Sequence, residues 1–89
     1  MQTVAVRLTR HDQAVSFDDA VPADWSVEHM TEAALPRLRL ATRDIATDLP
    51  LRYSAFQADA ELPRSADVGT AVRPGGRVVI APEYRSARG

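Results

Sequence analysis

The chain has 89 residues, a formal charge of −1 and no cysteine. That length sustains one small core. Near-neutral charge gives no electrostatic case for nucleic acid or an anionic membrane, and the absent thiols exclude disulfides, thiolate metal sites and a cysteine nucleophile.

The elements follow in chain order. "TVAVRLTR" sets Val4, Val6 and Leu8 on one face against Ala5, Arg7 and Thr9, the period of a half-buried strand. "RHDQ" is a polar turn, and "AVSFDDAV" alternates again with Val15 and Phe17 on one side, completing a hairpin. Pro22 has no N–H to give a ladder and ends the second strand. Ser26 is suited to cap a helix, with Glu28 in its first turn. Val27, Met30, Ala34 and Leu38 then recur at helical spacing, and Pro36 kinks or ends the helix with a further turn reaching Leu40. "ATRDIATDLP" reads as a connector. "LRYSAFQ" places Leu51, Tyr53 and Ala55 opposite Arg52, Ser54 and Phe56, a third strand near an edge. Leu62 anchors a brief strand, and Ser65 caps a short helical turn running from Asp67 to Val72. "RPGG" is a turn, since Pro74 fixes φ and a glycine takes φ > 0. "RVVIAP" is the last strand, with Val78 and Ile80 inward.

No apolar run reaches the roughly 20 residues of a membrane span. "MQTVAVRLTR" lacks the basic and then apolar layout of a signal peptide. The expected location is therefore cytoplasmic. All 11 basic residues are arginine, which excludes Schiff-base chemistry on lysine. His11 and His29 lie at no ligand spacing, so neither a metal site nor any other cofactor is expected. Asp18 and Asp19 are adjacent in a strand and face opposite ways, so they form no acid–base pair. Trp25, just before the helix, serves as a hydrophobic staple or a lid on the core edge.

The hairpin "VAVRLTRHDQAVSF", the helix "WSVEHMTEAALPRL" and the run "AELPRSADVGTAVRPGGRVVIAPE" together resemble the ubiquitin-like β-grasp fold over nearly the whole chain. The details are similar to small bacterial ubiquitin-like proteins of conjugation or defence systems and to those of type VII secretion loci. The resemblance implies an α+β fold: a mixed four- to five-stranded sheet with one helix across one face. The domain would span residues 1–83, with a flexible tail over 84–89.

It also implies a function outside catalysis. As a protein modifier, the chain would have Gly89 activated by an adenylating enzyme and joined to a protein target. Conjugating enzymes and a processing protease would be the further partners, and Tyr84, Arg85 and Arg88 would guide the tail. The chain ends Arg-Gly where ubiquitin and the sulfur carriers end Gly-Gly, which weakens a sulfur-carrier role. The alternative is a non-conjugated interaction module that works through the open sheet face. Alternation puts Phe56 and Val79 on that face, with Arg7, Arg52 and Arg77 as polar neighbours. A second placement for Phe56 is a minor core beneath the connector.

Overall fold

The computed structural model describes residues 2–83. The tail residues Tyr84, Arg85, Arg88 and Gly89 lie outside the described residues. The elements are β1 (Thr3–Arg10), β2 (Ser16–Pro22), α1 (Val27–Ala34), β3 (Tyr53–Gln57), β4 (Ala60–Glu61), α2 (Val68–Ala71) and β5 (Arg77–Pro82). They build one five-stranded sheet of order β2-β1-β5-β3-β4. β5 runs parallel to β1 and antiparallel to β3. The sheet is the mixed one expected, at the upper end of the expected strand count.

β1 and β5, the central pair, form where apolar residues recur every second position. Val4, Val6 and Leu8 of β1 meet Val21 of β2, Val78 and Ile80 of β5, and Tyr53 and Ala55 of β3 in one core. Val27, Met30, Ala34, Leu35 and Leu38 close it from the helix side. Full burial of such side chains stabilises by about 1.5–3 kcal/mol each. Val15 and Phe17 pack only partly against this core. The Arg37 guanidinium covers the Phe17 ring at 3.8 Å and pairs with Asp19 at 3.3 Å, clamping β2 to the end of the helix.

The helix begins where Ser26 Oγ accepts the His29 N–H at 3.0 Å. The Trp25 ring lies partly buried against the core, with the His29 ring 4.1 Å away. Pro36 has no N–H for the Glu32 carbonyl, which takes the Leu35 N–H at 3.3 Å instead. One more turn follows. Leu40 N–H donates to Leu35 O at 2.9 Å and Arg39 N–H to Pro36 O at 3.2 Å, while Arg39 adopts φ 57°. These two bonds around a left-handed residue are the Schellman closure of a helix end.

The hairpin loop between β1 and β2 is held by Asp12, whose carboxylate accepts the Ala14 N–H at 3.0 Å. That bond, reinforced by Arg10, keeps the Asp12 carboxyl below its ordinary range.

Ser65 does not cap the second helix. Asp67 holds the N-cap position, without a side-chain cap bond, and α2 starts at Val68. The reason is backbone pairing with the start of α1: Ser26 and Asp67 form an antiparallel bridge. Val27 N–H donates to Ala66 O and Val68 N–H to Trp25 O, at 2.9 and 2.8 Å. Asp67 is thus held extended, and helix begins only beyond it.

The connector is an ordered finger. Arg43 and Pro50 form a bridge, Leu51 N–H donates to Thr42 O and Asp44 N–H to Leu49 O. The Asp44 carboxylate takes the Ala46 N–H at 2.8 Å. The Tyr53 hydroxyl donates to Ala41 O at 2.6 Å, tying the finger's base to β3.

Candidate functional site

One sheet face carries the helix; the other is open. Register decides what the open face shows. Phe56 lies opposite Val79, Val79 is level with Thr9, and Thr9 is level with Ser16. Since Val78 and Ile80 point into the core, this row points away from it. Phe56 and Val79 are half-buried. Both therefore belong to the open face, and Phe56 does not turn into a core beneath the connector.

The neighbouring row is charged. Arg7 is level with both Arg77 and Asp18. Arg7 Nε and Nη2 donate to the two Asp18 carboxylate oxygens at 3.0 and 3.3 Å. Both side chains are more than half exposed, so the pair contributes under about 1 kcal/mol. Its local effect is to neutralise one of two like charges. Arg77 has no ion pair among the described residues and is exposed, a cation free for a partner.

On the other side of the apolar row, Ser54 lies opposite Ala81. Arg64 donates to Ser54 Oγ at 3.4 Å and forms an ion pair with Glu83. Glu61 faces Phe56 from β4. The site is thus a short apolar strip of Phe56, Val79 and Ala81, bordered by Arg77 at one end and a neutralised Arg64–Glu83 pair at the other. Such a strip suits docking by apolar contact with charge at the rim.

Of the sequence-assigned surface residues, Phe56, Val79 and Arg77 come together. Arg52 precedes β3 by one residue and lines a cleft between β3 and α1. Alternation alone could have added Ser54 and Ala81. The Arg7–Asp18 pair needed the hairpin register, which fixes who faces whom. Asp18 and Asp19 do point to opposite faces, one toward Arg7 and one toward Arg37. Among the described residues no group of three or more His, Asp or Glu is placed to hold a metal ion, and no helix is long and apolar enough to cross a membrane.

The strand order, the helix across one face and the parallel central pair define a ubiquitin-like β-grasp domain. No protein-family profile and no curated protein sequence matches the chain. Solved structures do. The EccD5 ubiquitin-like domain from Mycobacterium xenopi superposes with a TM-score of 0.68 at 17% identity, over 97% of this chain and 100% of that one. A chain of the MycP5-free ESX-5 inner membrane complex, State II, gives 0.68 at 19% identity; it covers all of this chain, which spans 23% of that larger one. A chain from a structure described as "Molecular Mimicry of SUMO promotes DNA repair" gives 0.66 at 8% identity over 94% of both chains. At these identities the likeness establishes the fold.

Proposed function

We propose that this chain is a non-catalytic, cytoplasmic protein-interaction module that docks a protein partner on its open sheet face. The observation that carries the reading is the strip of Phe56 opposite Val79 with the unpaired Arg77 at its rim. Half-buried apolar side chains beside a free cation offer contact area and orientation together. Likeness to a ubiquitin-like domain and to part of an inner membrane complex supports a role as a building block of a larger secretion-type assembly. The test is co-purification from the native host of wild type and Val79→Arg, each with a thermal melt. The variant is expected to fold and to lose its partner. A folded Val79→Arg protein that keeps the same partner refutes this face as the docking surface.

A second reading, a conjugated modifier, draws on one feature of the sheet: β5, the last described strand, leaves it between β1 and β3. In this reading the Gly89 carboxylate attacks the α-phosphate of ATP in an adenylating enzyme, releasing pyrophosphate. A partner cysteine thiolate then displaces AMP to form a thioester, and an amine of the target displaces that thiolate. Arg85 and Arg88 would pair with partner carboxylates, with Tyr84 beside them. Incubation with an adenylating enzyme encoded beside this chain, ATP and intact-mass measurement tests it. An adduct lost on deletion of Gly89 supports it, and an adduct that survives the deletion sinks it.

A further inference from the structure

A cleft of about 370 Å³ lies on the helix side of the sheet, sharing only Arg64 with the border of the docking face above. Leu35, Leu51 and Tyr53 give it an apolar lining, and Glu28 and Glu32 of α1 stand at its wall. These two carboxylates are one helical turn apart and exposed. Neither has an ion pair among the described residues. Like charges at this spacing destabilise a helix slightly, so the wall carries negative charge without an internal counterion. The lining arginine Arg64 does not supply one, because it is paired with Glu83. Arg52 is the remaining cation of the lining and is unpaired among the described residues.

The finger that forms the cleft's other margin carries the exposed large hydrophobic side chains of the described residues. Its base residues Thr42, Pro50 and Leu51 line the cleft, and it carries Ile45 at 99% and Leu49 at 62% exposure. Ile45 is not on a loose loop: the Asp44 carboxylate and the Asp44–Leu49 and Thr42–Leu51 backbone bonds hold the finger closed.

We propose that this cleft and finger form a second binding site, for an extended segment of a partner protein in which a lysine or arginine adjoins an aliphatic residue. The basic side chain meets Glu28 and Glu32, the aliphatic one covers Leu35, Leu51 and Tyr53, and Ile45 adds contact outside the cleft. Charge complementarity selects this occupant: the unpaired charges of the lining are the carboxylates of Glu28 and Glu32 against the single guanidinium of Arg52, a net negative balance that favours a basic segment over an acidic one.

The probe is a phage-displayed library of random dodecapeptides selected on the immobilised protein. Enriched sequences are expected to pair Arg or Lys with Leu, Ile or Val. A selected peptide should shift the amide resonances of Thr31, Leu35, Leu51 and Tyr53, and bind about tenfold or more weakly to the Glu28→Gln/Glu32→Gln variant at unchanged melting temperature. Its affinity should fall with added salt. A Glu28→Arg/Glu32→Arg variant should regain affinity for the same peptide with its basic residue changed to Glu, a rescue no purely structural role would give. Val79→Arg should bind the peptide normally. No enrichment, enrichment without basic residues, equal binding to the Gln variant, or shifts centred on Phe56 and Val79 would each overturn the proposal.

Discussion

The side-chain amide of Gln57 engages both backbone groups of Arg73: its oxygen accepts the Arg73 N–H at 2.8 Å and its nitrogen donates to the Arg73 carbonyl at 3.2 Å. A side chain thus does for the turn before β5 what a neighbouring strand would do. The turn also docks on β1, with Gly75 N–H donating to Ala5 O at 2.6 Å and Arg7 N–H to Gly76 O at 3.0 Å. Gly75 takes φ 77°, open to glycine at no steric cost.

Gln57→Ala should therefore destabilise by about 1 kcal/mol, lowering Tm by about 4–8 °C. Gly76→Ala should disturb the same lock, because a Cβ there would lie 2.5 Å from Gln57 Nε2. The two losses should not add, and a double-mutant cycle by thermal melt reads the coupling. Additive losses would mean the lock does not operate in solution.

Met30 is 1% exposed beneath the sheet. Met30→Asp buries a carboxylate with no partner, which should cost more than about 3 kcal/mol and leave little folded protein. Circular dichroism on heating gives the answer; an unshifted transition would place Met30 outside the core.

The two central residues of the β3–β4 turn, Ala58 and Asp59, have φ of 53° and 66°, and Gln57 pairs with Ala60 across it. This is the two-residue hairpin that favours Asn-Gly. Ala58→Asn with Asp59→Gly should stabilise by about 1 kcal/mol by removing left-handed strain. The check is the urea midpoint at constant slope, and a lower midpoint contradicts the turn geometry.

Thr9 is 4% exposed and its hydroxyl has no hydrogen-bond partner among the described residues. Thr9→Val keeps the shape and deletes the stranded group, so stability should rise by about 1 kcal/mol. Differential scanning calorimetry compares the two proteins, and a lower Tm for the variant would show that the hydroxyl is bonded in solution.

Much of this architecture is legible from periodicity. Val4, Val6 and Leu8, or Val78 and Ile80, mark strands because one side of each strand is buried and the other is not. The helix and its extension past Pro36 follow from spacing and the missing proline N–H. The start of α2 is not legible: Ser65 and Asp67 are both suitable caps, and the pairing of Asp67 with Ser26, far away in sequence, decides between them. The finger escapes for a related reason, since Asp44 and backbone groups order it without any apolar repeat. The open strip is half-legible: alternation yields Phe56 and Val79, while the placement of Arg52 beside the helix depends on where β3 begins. The cleft cannot be read at all, because its lining comes from four separate stretches of chain.

The last strand in sequence occupies the middle of the sheet, between β1 and β3. Until residues 77–82 have been synthesised, the β1–β2 hairpin and the β3–β4 pair have no shared neighbour, and the inner faces of both lack Val78 and Ile80. A nascent chain emerging from the ribosome therefore holds two separate fragments with open edges, each a target for chaperones or for wrong pairing. Closure joins the beginning of the chain to its final described strand in one long-range step, the slow kind of contact to form. Closure of the sheet therefore waits for residues 77–82, and a chain stopped ahead of Arg77 lacks the strand that joins its two halves.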